Sequence, residues 1–275
     1  DGDGVNDLAV GAANDDTGGN RRGAVHLLRL NTNGTVKNST KIASGTNGGP
    51  TLADGDIFGI SVASVGDLDG DGVNDLAVGS FGDDTGGSYR GAIHVLFLNA
   101  SGTVKNSTKI ASSTNGGPAL ADGDIFGMSL VSPGDLNGDG VADLVAGAFR
   151  DDTGGTDRGA MYALLLNASG TVKNTTKIAS GTNGGSTLAD GDFFGIAVGS
   201  LGDLDGDGVS DLAVGASYDD VGGTNRGAVH VLFLNPAVDR GDAPDTGGGT
   251  GTGNYNTLSS DNGPSHTIVA GLFLG

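Results

Sequence analysis

Apolar residues along the chain fall in short runs, each closed by glycine or by a cluster of Asp, Asn, Ser and Thr. Residues 58–65, Phe-Gly-Ile-Ser-Val-Ala-Ser-Val, predict a first strand rich in small side chains, and residues 76–80 a second. Ala92-Ile93-His94-Val95-Leu96-Phe97-Leu98 is nearly continuous in apolar residues and predicts a third strand, buried on both faces. Residues 103–110, Thr-Val-Lys-Asn-Ser-Thr-Lys-Ile, predict a polar fourth strand suited to an exposed edge. Between the second and third strands, Asp83-Asp84-Thr85-Gly86-Gly87-Ser88-Tyr89-Arg90-Gly91 is dense in turn formers. A long loop, residues 111–124, then carries the chain to a second Phe-Gly at Phe126-Gly127.

The connection between the first two strands has its own pattern. Asp67, Asp69 and Asp71 alternate, Asp75 follows, and Gly72 stands where a tight loop must turn sharply. A hard cation such as calcium takes six to eight oxygen ligands, which a loop can supply at positions 1, 3, 5, 7 and one further on. Asp67, Asp69 and Asp71 would give carboxylates, Val73 a backbone carbonyl and Asp75 a closing carboxylate. A helical EF-hand would need Glu at position 12, where Val78 stands ahead of a strand-like run, so the expected site is a calcium loop between strands.

The loop recurs with Asp1, Asp69, Asn137 and Asp205 at equivalent places, a constant interval of 68 residues. The third copy reads Asp135, Asn137, Asp139, Val141 and Asp143, and the fourth Asp203, Asp205, Asp207, Val209 and Asp211. The first copy retains Asp1, Asp3, Val5 and Asp7 without a residue at its first ligand position, so the chain is expected to be a fragment that begins inside a motif. A constant period of this kind is the mark of a repeat architecture. Four strands per unit, with small residues on the innermost and polar residues on the outermost, suit the blade of a β-propeller. The expected fold class is therefore all-β, an incomplete propeller of four-stranded blades with calcium-binding loops. Residues 1–238 are expected to form the blades, the first and last incomplete, and residues 239–275 a linker and the start of a second domain.

Composition sharpens this picture. Fifty-five glycines in 275 residues, without a triplet period, fit many strands joined by glycine turns. The net charge of −19 argues against nucleic acid or an anionic membrane surface as partner. No apolar run is long enough to span a membrane. With no cysteine, disulfides and thiol chemistry are excluded.

The Phe-Gly pairs at Phe58-Gly59, Phe126-Gly127 and Phe194-Gly195, each followed by an acidic loop, resemble the FG-GAP repeats of integrin α-subunit propellers and their bacterial relatives. The Gly-Ala-Pro part survives only in pieces, as in Gly11-Ala12-Ala13, Gly79-Ser80-Phe81, Gly147-Ala148-Phe149 and Gly215-Ala216-Ser217. The resemblance implies a seven-bladed extracellular propeller with calcium in loops on one face and ligand binding on another. Asp239-Arg240-Gly241-Asp242-Ala243-Pro244-Asp245, with residues 262–268, resembles the start of a GEVED-type domain of large bacterial surface proteins.

Other motifs have plainer explanations. Asp-Thr-Gly at Asp16, Asp84 and Asp152 matches the aspartic-protease triplet, but it repeats once per unit inside a turn and the fourth copy has Val221 in place of Thr. Arg22, Arg90, Arg158 and Arg226 are expected to pin their own turns by pairing with the adjacent Asp residues, as Arg90 with Asp83 and Asp84. His26, His94 and His230 align with Tyr162, which speaks against a metal role and places them at a polar spot on a strand. Arg240-Gly241-Asp242 falls inside the second-domain motif, and the Asn-x-Ser/Thr sequons fall where turns and edge strands call for those residues anyway. No phosphate loop, Gly-x-Ser-x-Gly elbow or zinc spacing is present. The expected protein is a non-catalytic, Ca2+-binding propeller of a secreted or cell-surface protein that binds an extracellular protein or glycan ligand. The alternative is an accessory propeller of an extracellular polysaccharide- or lipid-degrading enzyme.

Overall fold

The computed structural model describes residues 3–235. Asp1 and the expected second domain from residue 239 on lie outside them. Among the described residues there is no helix, and fourteen strands form four antiparallel sheets. The first sheet holds β1 (Leu8–Ala12), β2 (Ala24–Leu30) and β3 (Val36–Ala43). The second holds β4 (Phe58–Gly66), β5 (Asp75–Ser80), β6 (Ala92–Leu98) and β7 (Val104–Ala111). The third holds β8 (Phe126–Gly134), β9 (Asp143–Ala148), β10 (Ala160–Leu166) and β11 (Val172–Ala179). The fourth holds β12 (Phe194–Gly202), β13 (Asp211–Ala216) and β14 (Ala228–Leu232). Within each sheet the strands pair in chain order, and β4 packs on β8 as β8 packs on β12. The sheets are consecutive blades of a β-propeller whose ring the described residues do not close.

The core lies between blades rather than inside them. Val25 packs with Phe58, Leu76 and Leu96. Ile93, Val95 and Phe97 pack with Phe126, Leu144 and Leu164, and Met161 and Leu165 with Phe194 and Leu212. Strands β6 and β10, with a neighbour on either side, are buried at every residue, as a continuous apolar run predicts. The same run in β14 has no described neighbour on one face, and there Val229 is 70% exposed where Met161 is 0%.

Glycine meeting glycine sets how closely blades approach, as where Gly11 faces Gly59. A Cβ on Gly79 or Gly147 would run into the backbone carbonyl of Gly127 or Gly195 in the next blade. Those two belong to the Phe-Gly pairs and have φ of 82° and 88°, a region that side chains disfavour. The glycine of the residual Gly-Ala-Pro motif thus meets the glycine of the following Phe-Gly motif. The phenylalanines fill the space beneath: Phe58, Phe126 and Phe194 are fully buried and meet His94, Tyr162 and His230 edge-on at 5.5, 5.7 and 5.4 Å. Their amides donate across the blade boundary to the carbonyls of Arg22, Arg90 and Arg158 at 3.0, 3.0 and 2.9 Å.

The His/Tyr position also faces the Asp-Asp turn. Tyr162 Oη donates to Asp151 Oδ2 at 2.7 Å, and His230 Nε2 lies 3.3 Å from Asp219 Oδ2. His94 falls short: its Nε2 is buried with no partner, and burial pulls its pKa down to about 4. His94→Tyr should supply the missing bond to Asp83 and raise stability by roughly 1–2 kcal/mol at pH 7. His94 stays neutral in the fold while an unfolded histidine protonates below about 6.5, so the wild type loses stability between roughly pH 6.5 and 4. The variant's advantage in thermal melts should therefore widen on acidification. In a second comparison, Gly147→Ala should cost roughly 2–3 kcal/mol through the forced contact with Gly195. Gly215→Ala, whose new Cβ would sit 3.5 Å from Ala197 of its own sheet, should be nearly neutral in the same denaturation assay.

Candidate metal centre

The second, third and fourth acidic loops each join the innermost strand of a blade to the second, and the first precedes β1, so the loops of successive blades lie at the same end of the sheets. Asp67 shapes its loop, accepting the amides of Gly70 and Asp71 on Oδ1 at 2.8 and 2.9 Å and that of Gly72 on Oδ2 at 2.7 Å. Gly72 has φ of 89°, as the sharp turn at this position requires. Asp135 holds Gly138 and Gly140 in the same way, and Asp203 holds Gly206 and Gly208. These amides hold the Asp203 carboxyl below its usual range, the Gly208 bond most strongly.

The residue four positions after the alternating carboxylates behaves differently. Asp75, Asp143 and Asp211 are fully buried. Asp75 accepts the Leu68 amide on Oδ2 at 3.0 Å and the Leu98 amide on Oδ1 at 2.9 Å. Asp143 accepts Leu136 and Leu166, and Asp211 accepts Leu204 and Leu234. In the first blade Asp7 accepts the Leu30 amide at 3.0 Å. Burial pushes Asp75 up and Asp143 up to about 6, against the pull of the two amides. These carboxylates tie the loop to the end of the third strand, a role that ligand counting alone does not suggest.

Asp67, Asp69 and Asp71 bring three carboxylate oxygens within 4.8 Å of one another, and Asp203, Asp205 and Asp211 do the same. The donors are all oxygens, the kind a hard divalent cation prefers. Asp75 is not part of the first cluster, nor Asp207 of the second. In the fourth loop burial and the Asp207 charge push Asp205 up, and Asp207 Oδ2 is shut away with no hydrogen-bond partner. In the third loop Asn137 stands between Asp135 and Asp139, and its Oδ1 accepts the Asp139 amide at 3.0 Å. In the first, Asp3 accepts the Val5 amide at 2.9 Å. Val73, Val141 and Val209 occupy the expected carbonyl positions, their own amides bound to Asp71, Asp139 and Asp207.

The arginine pairing differs from expectation. Arg22, Arg90 and Arg158 reach past their own turns to Asp54, Asp122 and Asp190, each at 2.7 Å, in the loop that leads to the next blade. The turn carboxylates go to lysines of the outer strand instead: Asp15 to Lys41 and Asp151 to Lys177 at 2.7 Å, and Asp83 to Lys109 at 2.5 Å. At this same end, opposite the acidic loops, Phe149, Phe193 and Tyr218 stack edge-to-face at 5.5 and 5.3 Å. The Arg150 guanidinium lies over Phe149 and Phe193. The equivalents of Phe149-Arg150 are Ala13-Asn14, Phe81-Gly82 and Ser217-Tyr218, so blades that are otherwise close copies differ here.

Blades with acidic, oxygen-rich loops at one end define a propeller whose loops could hold a metal ion. Family comparison agrees with the architecture. The FG-GAP repeat model matches residues 194–232 and an FG-GAP-like repeat model residues 67–146. Integrin alpha-PS2 of Drosophila melanogaster is 33% identical over 193 residues, 68% of this chain and 12% of that protein. Integrin alpha-11 of Homo sapiens is 37% identical over 156 residues, 54% of this chain and 12% of that protein. Integrin alpha-5 of Xenopus laevis is 38% identical over 97 residues, 35% of this chain and 9% of that protein. The chain is built of FG-GAP repeats as an integrin-α-like propeller, and it spans about a tenth of the length of these relatives. No helix among the described residues is long and apolar enough to cross a membrane.

The two kinds of loop aspartate should separate on mutation. Asp143→Ala leaves two buried amides without an acceptor and should cost roughly 2–3 kcal/mol in chelator. Asp69→Ala removes no amide acceptor and should cost under about 0.5 kcal/mol when both variants are unfolded in urea with chelator present.

Proposed function

We propose that this chain is a non-catalytic, calcium-binding propeller of a secreted or cell-surface protein, acting in adhesion or ligand binding. The likeness to integrin α chains over 68% of its length carries the reading. Calcium would be held by Asp67, Asp69, Asp71, the Val73 carbonyl and Asp75, and by the equivalent residues of the other loops. The convergence of Asp67, Asp69 and Asp71, and of Asp203, Asp205 and Asp211, supports this assignment. So does the all-oxygen donor set, and extracellular calcium modules bind at roughly 10⁻⁴–10⁻³ M. Bound calcium would supply a fixed positive centre that neutralises each loop. Asp75, Asp143 and Asp211 hold the loops open to it by accepting amides on the strand side.

The ligand, an extracellular protein or glycan, is assigned to the opposite end. There Phe149, Arg150, Phe193 and Tyr218 offer aromatic edges and a guanidinium beside the acidic turns, and Tyr218 is 48% exposed. Aromatic and arginine groups of this kind dominate binding surfaces.

Thermal melts of the whole chain in excess calcium and in EGTA test the metal assignment. Calcium held by the folded state alone should raise the melting temperature, by about 2.7 kcal/mol of stability per site at a hundredfold excess over Kd. Equal cooperative melts in both buffers would show the acidic loops to be turns only. A screen of glycans and matrix proteins in calcium tests the rest: any ligand found should lose affinity at least tenfold with Arg150→Ala combined with Tyr218→Ala.

A further inference from the structure

Each outer strand carries, as its second residue, a lysine that reaches back into the acidic loop of its own blade. Lys37 Nζ lies 3.0 Å from Asp3 Oδ2. Lys105 Nζ lies 2.8 Å from Asp69 Oδ2 and also contacts Asp71, and Lys173 contacts Asp139. The spacing of 68 residues repeats the contact from blade to blade. In the second blade the lysine holds two of the three carboxylates that converge there. Its side chain is 26% exposed, so the ammonium is partly shielded at the loop rather than free in solvent.

The fourth loop lacks this arrangement. Asp203, Asp205 and Asp211 converge, yet no lysine or arginine pairs with them among the described residues. Asp207 Oδ2 is shut off from solvent with nothing to accept from. In sequence, the residue 68 positions after Lys173 is Gly241, outside the described residues.

An ammonium ion and a divalent cation seek the same oxygens. A cation entering the second loop must either displace Lys105 or share Asp69 and Asp71 with it, a few ångströms from a like charge. Without a cation, the same ammonium relieves the repulsion among three adjacent carboxylates. We propose that Lys37, Lys105 and Lys173 are tethered counter-ions that compete with the divalent cation for the loop carboxylates, so that the blades are graded in affinity and the fourth loop is tightest. This rests on the calcium reading and adds its regulation: three loops exchange affinity for stability in the cation-free state, and one does not.

Calcium titration of the whole chain by calorimetry at low ionic strength, with melts in EGTA and in calcium, tests it. Lys105→Gln should make one of the weaker sites several-fold to about tenfold tighter, lower the melting temperature in EGTA, and close that gap in calcium. Lys105→Arg, which keeps the charge, should titrate like the wild type. Asp205→Ala should remove the tightest site. Raising the salt concentration should shrink the difference between Lys105→Gln and wild type, since salt screens a pair that is only partly shielded. Unchanged or weaker calcium affinity in Lys105→Gln, or loss of a weak site in Asp205→Ala, overturns the proposal while the calcium assignment stands. A wild type that takes up no calcium removes both.

Discussion

A buried carboxylate accepting one amide from the loop and one from the third strand or its end is what the acidic-loop end of the second, third and fourth blades hangs on. Asp143 joins Leu136 to Leu166 across a site with no exposure at all. Burying a charge there is costly, and burial pushes its pKa up to about 6. Two amides that would otherwise be buried without acceptors offset the cost. Because this anchor is met inside the protein, Asp135, Asn137 and Asp139 are left at the surface with their loop already shaped. The loop is organised by hydrogen bonds from its own backbone, and the outward oxygens are what remains for a cation.

Much of this was legible in the sequence, and the misses share a cause. Strand positions followed from runs such as Ala92–Leu98, whose bounds agree with β6, and from the Phe-Gly that opens β4, β8 and β12. The turn at Gly72 followed from loop geometry. The arginine partners did not: Arg90 has Asp83 and Asp84 nearby in sequence but pairs with Asp122, because the interblade loop folds back over the turn. The second role of Asp75 was equally hidden, since its partner Leu98 lies at the far end of another strand. The meeting of Gly79 with Gly127 was invisible for the same reason, although both glycines were conspicuous in the repeat. Local pattern specified elements and left contacts between elements unread.

Near-identity of the repeats separates two kinds of residue. What every blade retains, such as Gly79 and its equivalents or Asp75 and its equivalents, is what a blade needs to stack and to shape its loop. What varies at fixed places is free to differ in task. Asn137 stands where the other loops have Asp1, Asp69 and Asp205, and Phe149-Arg150 replaces Ala13-Asn14. Differences of this sort fall at both ends of the sheets, while the strands between them hardly change.

Blades whose cores lie between them have a thermodynamic consequence. Val25 needs Phe58, Ile93 needs Phe126 and Met161 needs Phe194, so each blade draws its burial from its neighbours. Such an array behaves as a one-dimensional chain of coupled units, in which interfaces rather than blades carry the free energy. A blade flanked on both sides is locked by two interfaces and an outer blade by one. Among the described residues the first and fourth sheets have one such interface, and there Val229 is 70% exposed, while β6 and β10 between two interfaces are buried at every residue and would exchange their amides most slowly.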